Sequence, residues 1–318
     1  MDRPVDCSVV IVSWNTRELL RACLASIPRA GRTTIEVLVV DNGSEDGSAE
    51  LVAREFPWAR LIRNADNRGF AAANNQAFAV ARGRHVLLLN SDTEIRDPDT
   101  IDRCVAWLDA RPDAAVLGGR VTNVDGTGQA TCFRDPGLLD LALLATGLHR
   151  LRRPAWLARL AGRQRMAGWA RDDERDVDVV TGCHMLVRRA AMDEVGVLDE
   201  AYFFYGEEAD WCRRFRRAGW RVVFSPVGDV MHHGGASALR ISGETGLLLA
   251  RAIVRLVRTH EGRLAGLAAW TILLASHLWR ALAFGVAGAC TLDRERLRRA
   301  RRAASIAGRF GGAWPAVR

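Results

Sequence analysis

The sequence predicts an α/β protein built on a mainly parallel sheet flanked by helices, and three observations carry that prediction. Short apolar runs alternate with amphipathic stretches over the first hundred residues, the signature of βαβ units. Polar clusters follow three of those runs directly, at the strand ends where ligands bind in open α/β sheets. At 318 residues the chain is long enough for one large domain and a smaller appendage.

Residues 8–12 read as the first strand. Asn15 is expected to cap the helix that follows, with Glu18 three residues on completing a capping box and Leu19, Leu20, Cys23, Leu24 and Ile27 on one face. Residues 35–40 form a second strand ending in Asp41-Asn42-Gly43-Ser44, residues 60–63 a weaker third, and residues 85–89 a fourth ending in Asn90-Ser91-Asp92. Beyond Pro112 the pattern loosens: residues 122–176 mix glycines, prolines and an arginine-rich helical stretch around Trp156 and Leu160, as an acceptor-side region would. Regularity returns over 177–187, then a helix over 207–218, a strand over 221–224 and the segment 231–237. From Leu247 onward the chain reads as helical.

Hydrophobic residues at 49% and charged residues at 26% match ordinary soluble proteins and exclude disorder or low complexity. Seven scattered cysteines (Cys7, Cys23, Cys104, Cys132, Cys183, Cys212, Cys290), odd in number and never as C-x-x-C, argue against a disulfide framework or zinc cluster and for reduced thiols. The net charge is +8, and all 45 basic residues are arginine, a bias that a GC-rich bacterial genome also produces. The arginines concentrate between Arg150 and Arg171 and between Arg294 and Arg309, without the regularly spaced aromatics of a nucleic-acid platform. A membrane surface or an anionic lipid-linked acceptor fits better than nucleic acid. Residues 1–6 carry two acids and lead into a strand rather than a signal peptide, so the protein is expected in the cytoplasm, peripheral on the inner face of the membrane. Residues 264–290 are long and apolar, but His277 and Arg280 interrupt them, and a charge at a helix centre costs roughly 2.5–3.5 kcal/mol on insertion. An interfacial helix flanked by arginines is the expectation.

Four clusters carry the chemistry. Asp41-Asn42-Gly43-Ser44 reads either as a plain turn or as a strand-end carboxylate that accepts the imide N–H of a pyrimidine base. Asn90-Ser91-Asp92 reads as a turn before an acidic helix start at Asp97-Pro98, or as a seat for a hard cation shared with substrate phosphates. Phe203-Phe204-Tyr205-Gly206 feeds Glu207, Glu208 and Asp210, acids that either complement a helix dipole or supply a general base. His232-His233-Gly234-Gly235 offers a histidine to a metal or to the core.

Taken in order, Ser13-Trp14-Asn15, Asp41-Asn42-Gly43-Ser44, Asn67-Arg68-Gly69-Phe70 with Asn74, Asn90-Ser91-Asp92, Gly206-Glu207-Glu208 and His232 resemble the family 2 glycosyltransferases, in their rhamnosyltransferase-like branch. The resemblance covers roughly residues 7–240 and implies a GT-A fold, a nucleotide-sugar donor and inversion in one displacement. Residue by residue it implies Asp41 on the base, Ser13 and Asn15 beside the nucleoside, and Asn67, Arg68 and Gly69 lining the donor pocket. It further implies Asn90 and Asp92 at the family's D-x-D, with Asp92 and His232 holding Mg²⁺ or Mn²⁺, and Glu208 as catalytic base. Two positions depart from the family: Asn90 replaces the first acid of the D-x-D, and Glu207-Glu208 stands where Glu-Asp is usual. The expected division is a glycosyltransferase domain over 1–240 and a basic helical extension over 241–318. Within the first, about 1–120 form the nucleotide-sugar half and 121–240 the acceptor and catalytic half.

The expected donor is dTDP-L-rhamnose, with UDP-galactofuranose and other pyrimidine nucleotide sugars open, and the expected acceptor a glycan or a polyprenyl-diphosphate-linked glycan. A sugar nucleotidyltransferase would share the fold and metal but needs a glycine-rich basic loop after strand one, which Trp14-Asn15-Thr16-Arg17 is not. A non-catalytic basic scaffold would not require acids at two strand ends.

Overall fold

Unbroken apolar runs bury on both faces, and in the computed structural model they form the centre of a sheet. The structure describes residues 4–135, 137–145, 164, 166, 168–234 and 245–311. Strands β1 (Cys7–Ser13), β2 (Ile35–Asn42), β3 (Arg60–Asn64) and β4 (His85–Leu89) pair in parallel. With β6 (Ala114–Gly118), β9 (Arg175–Asp176), β11 (His184–Arg188) and β12 (Arg221–Phe224) they make an eight-stranded sheet of order β3-β2-β1-β4-β11-β6-β12-β9. The sheet is mainly parallel, as expected, but β11 enters between β4 and β6 against both neighbours, and β9 runs against β12.

Helices α1 (Arg17–Ser26), α2 (Ser48–Glu55), α3 (Phe70–Phe78) and α4 (Thr100–Asp109) cover the sheet. The expected face of α1 is buried at Leu20, Cys23, Leu24 and Ile27. Helix α3 buries Ala71, Ala73 and Ala77, small side chains that let its axis run close over β1 and β2. The expected capping box does not form. Helix α1 starts one residue later than Asn15 would cap, Thr16 precedes it without a side-chain cap bond, and Asn15 takes a left-handed φ of 55°. The reason is competition: Asn15 Oδ1 accepts the Glu45 N–H at 2.8 Å, and its own N–H donates to Ser44 Oγ at 2.9 Å.

A second small sheet places the distal histidine. Strand β13 (Val230–His232) lies between β5 (Thr93–Ile95) and β7 (Val121–Thr122), with His232 in register with Thr93. A pair of short strands, β8 (Cys132–Phe133) and β10 (Val179–Val180), flanks α7 (Glu207–Arg217), which follows α6 (Arg189–Val195). The strand expected over 221–224 forms as drawn, and the helix expected over 207–218 ends at Arg217. The stretch around Trp156 and Leu160 and the end of the segment 231–237 lie outside the described residues.

The chain divides into two compact units, Met1–Arg134 with Gly168–Phe203 and Glu207–Arg240, and Asp135–Ala167 with Phe204–Gly206 and Ile241–Arg318. The second contains α5 (Leu138–Ala145), α8 (Thr245–Glu261), α9 (Arg263–Thr291) and α10 (Arg294–Gly311). Its own core gathers Leu141, Leu247, Val254, Val257, Ala269 and Phe310. Burying one such large side chain is worth about 1.5–3 kcal/mol. Trp270 packs on Phe310 at 6.2 Å between ring centres and donates its indole N–H to the Phe310 carbonyl.

Candidate active site

The site grows from the carboxyl ends of β1, β2 and β4, which the parallel register brings level: Ser13 pairs with Asp41, and Asp41 with Arg63. Asp41 is 3% exposed. Its Oδ2 accepts the Ser44 N–H at 3.2 Å, while the buried Oδ1 has no partner among the described residues. Burial raises its carboxyl pKa, against the opposing hydrogen bonds from Ser44. A buried acceptor oxygen of this kind calls for a donor.

Asn42, the next residue, is a buried junction. Its Oδ1 accepts Asn64 Nδ2 at 2.9 Å and the Arg68 N–H at 3.1 Å, and its Nδ2 donates to Asn67 Oδ1 at 2.9 Å and the Gly69 carbonyl at 3.3 Å. The expected donor-pocket residues Asn67, Arg68 and Gly69 are therefore tied to the end of β2. Asn67 turns its amide inward, accepting also the Gly69 N–H at 3.0 Å, and Arg68 leaves its side chain exposed. Gly69 adopts φ 86°, and a Cβ there would stand 2.6 Å from the Phe203 carbonyl, so only glycine fits. That carbonyl accepts the Phe70 N–H at 2.9 Å, joining the loop to the segment before α7.

Ser13 serves another junction. Its hydroxyl bonds Thr16 Oγ1 at 3.0 Å, which bonds Ser91 Oγ at 2.9 Å, so the ends of β1 and β4 are laced together. Next to Ser91, the Asp92 Oδ1 lies 3.1 Å from His232 Nε2, and Asn90 Nδ2 lies 3.4 Å from the same nitrogen. The hydrogen-bond network fixes the imidazole tautomer. Asn123 Oδ1 accepts Gln129 Nε2 at 2.9 Å, which leaves Gln129 Oε1 facing His232 Nδ1 at 2.6 Å. Nδ1 is thus placed to donate to Gln129, and Nε2 faces the Asp92 carboxylate. Two electron-rich atoms at that separation share either a proton or a cation, and an imidazole whose far N–H is held by a carbonyl is the usual arrangement of a metal-ligating histidine. Among the described residues no group of three or more His, Cys, Asp or Glu is placed to hold a metal. His233 instead bonds Glu94 Oε1 at 3.0 Å.

The acidic helix start resolves into different roles. Glu208 Oε1 accepts the Gly182 N–H at 3.0 Å, and burial raises its pKa above the ordinary glutamate value, with that hydrogen bond opposing. Asp210 Oδ2 accepts Arg214 Nε at 2.8 Å, and Arg214 also donates to the Val195 and Val197 carbonyls. Asp210 is thus committed to a clamp on α6. Gly182 is the hinge of the arrangement: a Cβ there would stand 3.0 Å from the Phe70 ring and 3.2 Å from Glu208 Oε1. Its neighbour Cys183 accepts the Asn90 N–H at 3.3 Å, and both Glu208 and Asp92 push the Cys183 thiol upward, after the larger effect of burial. Two consecutive residues therefore bridge Glu208 to the Asn90–Asp92 turn.

All the residues expected from the sequence, Ser13, Asn15, Asp41, Asn67, Arg68, Gly69, Asn90, Asp92, Glu208 and His232, lie on this one circuit of contacts. Sequence reasoning missed the junctions Asn42, Gly182 and Cys183, and missed Gln129. A Thr-Gly pair just before β11 is the one local signal for Gly182; Gln129 has none.

Residues 8–196 match the family model described as Glycosyl transferase family 2. The N-acetylglucosaminyl-diphospho-decaprenol L-rhamnosyltransferase of Mycobacterium tuberculosis is 30% identical over 246 residues, 73% of this chain and 77% of that protein. The low-salt glycan biosynthesis hexosyltransferase Agl10 of Haloferax volcanii is 24% identical over 239 residues, 72% of this chain and 67% of that one. Among solved structures, the mannosyltransferase PcManGT from Pyrobaculum calidifontis, determined with GDP-Man and Mn²⁺, superposes with a TM-score of 0.57 at 17% identity, covering 97% of this chain and 87% of that one. That likeness speaks to the fold, which is GT-A.

Proposed function

The chain belongs to glycosyl transferase family 2, and we propose that it moves L-rhamnose from dTDP-L-rhamnose, with inversion, onto a polyprenyl-diphosphate-linked glycan at the cytoplasmic face of a membrane. The observation that carries this reading is the circuit itself: a buried carboxylate oxygen at Asp41, an Asp92–His232 pair and a glutamate of raised pKa, tied together through Asn42, Gly182 and Cys183. The rhamnosyl and lipid-linked details rest on the similarity to the mycobacterial enzyme.

Asp41 Oδ1 takes the imide N–H of thymine, a ring N–H that adenine and cytosine do not offer. The Asn67 to Gly69 loop, pinned by Asn42, closes over the donor. Asp92 and His232 Nε2 would hold a Mg²⁺ or Mn²⁺ ion, which when bound would neutralise charge on the departing diphosphate. Asn90, the uncharged member of the turn, has its Nδ2 3.4 Å from His232 Nε2 and brings no charge to the ion. Glu208 accepts the proton of the acceptor hydroxyl as that oxygen bonds the anomeric carbon and the carbon–oxygen bond to diphosphate breaks. Its burial keeps its basicity above that of a surface glutamate.

Thermal shift against a panel of nucleotide sugars with Mn²⁺, followed by transfer to a polyprenyl-diphosphate N-acetylglucosamine acceptor, tests the reading. A dTDP-L-rhamnose response above UDP-galactofuranose and GDP-mannose, with product formed, is expected. Stabilisation only by a purine nucleotide sugar would overturn the donor assignment.

A further inference from the structure

Helix α9 presents a second surface that the transfer chemistry does not use. It is 29 residues long and apolar enough to cross a membrane by length and composition. Yet it is two-sided. Gly266, Ala269, Ser276 and Gly288 are buried, while Leu264 (84%), Leu278 (55%), Trp279 (57%), Leu282 (60%) and Val286 (56%) are exposed. At about 100° per residue, Leu264, Leu267, Leu278, Leu282 and Val286 fall within an arc of roughly 100°. Every exposed position of α9 from Leu264 to Cys290 is uncharged. His277 and Arg280, which weigh against a bilayer span in the sequence, lie roughly 130° and 170° from the centre of that arc. The opposite side of the helix packs against its own unit.

Beside it runs α10, packed closely because Gly288 accepts the Leu297 side chain where a Cβ would stand 3.0 Å away, with Gly285 opposite Ala300. Between residues 293 and 309 the chain carries seven arginines against two acids, Asp293 and Glu295, and all seven are exposed. An uncharged, largely apolar strip, broken only by Thr271, thus adjoins a cationic one. We propose that the exposed faces of α9 and α10 form a docking surface for an anionic lipid bilayer, with α9 lying in the plane of the headgroups. A second copy of the chain is a poorer occupant, because a two-fold interface on this strip would bring two arginine arrays together. The inference gives the membrane reading above a surface, and it is tested without nucleotide sugar, so its failure and that of the transferase reading are separate results.

The experiment is sedimentation of the full chain with vesicles of mixed phosphatidylglycerol and phosphatidylcholine, or of phosphatidylcholine alone. Pelleting with the anionic vesicles, falling with added salt, is expected. Arg294→Gln, Arg298→Gln and Arg301→Gln together should weaken partitioning by roughly 10²-fold, at about fivefold for each arginine. Leu278→Gln with Leu282→Gln should abolish it while the circular-dichroism melt is retained. Binding indifferent to lipid charge and salt would overturn the proposal. So would a protein that stays in the supernatant, or one whose apolar strip proves by light scattering to seat a second copy. Should the leucine variant unfold, the salt dependence and arginine series of the folded protein still decide.

Discussion

Glu208→Gln separates the base from its acidic neighbours. The amide keeps the side chain's length and can still accept the Gly182 N–H that the carboxylate accepts at 3.0 Å, so the circuit from Phe70 through Gly182 to Asn90 should persist. What is lost is basicity, and kcat should fall by about 10²–10⁴-fold, or roughly 2.7–5.4 kcal/mol of transition-state stabilisation, with the donor KM little changed. In the native enzyme the acid limb of the kcat profile should lie above the ordinary glutamate range, because burial raises the Glu208 pKa and activity needs its ionised form. Stability moves the opposite way. A carboxyl whose folded pKa exceeds its unfolded value ionises less readily in the fold, so stability declines as pH rises from the unfolded value through the folded one. Glu208→Gln, which cannot ionise, should melt at or above the native protein at neutral pH and converge with it in acid. Steady-state kinetics across pH and a parallel melting series read both. Normal turnover of Glu208→Gln, or an acid limb at the unperturbed glutamate position, would refute the assignment.

Asp210→Asn should do the reverse, losing roughly 1.5–3 kcal/mol of stability by weakening the 2.8 Å bond to Arg214 while retaining turnover; a dead but stable variant would move the base to Asp210. Asp41→Ala should weaken donor binding by about 10–150-fold, the worth of one hydrogen bond to a charged group, and relax the preference for pyrimidine nucleotides; an unchanged donor Kd by calorimetry counts against the base contact. Gly69→Ala, at φ 86° with a Cβ 2.6 Å from the Phe203 carbonyl, should lose roughly 1–3 kcal/mol in denaturant titration and impair donor binding; a neutral effect means the loop yields freely. Gln129→Leu frees the His232 Nδ1–H, and Mn²⁺ affinity should drop by about 10–100-fold by titration calorimetry with nucleotide present; native affinity would show that the tautomer is not held there.

What the sequence discloses here follows from where chemistry sits on a parallel sheet. Asp41, Asn90 and Asp92 each stand just after an apolar run, because a strand that buries both faces must end before the chain can turn polar, and that end is the rim of the site. The acidic start of α7 is legible for a different reason, since acids favour a first helical turn. Local rules misled at Asn15, where a capping pattern was present but the side chain found a better partner across the loop in Glu45. The reversal of β11 was also hidden, since an apolar five-residue strand carries no mark of its direction.

The partners that orient the proposed site residues were hidden more thoroughly than those residues themselves. Glu208 is held by Gly182, 26 positions away; His232 by Gln129, 103 away; and Asp92 faces His232 across 140. Each such partner needs only one polar atom at one place, and many sequences supply that, so no periodicity or motif records it. A glutamine in a loop looks like any other until Asn123 takes its amide hydrogens and leaves its oxygen pointing at an imidazole. Gly182 differs, because crowding by the Phe70 ring and Glu208 demands the absence of a side chain, and that demand does reach the sequence as a glycine just before a strand. Steric requirements are therefore legible one residue at a time, whereas hydrogen-bond orientation becomes legible only when the fold has closed the distance.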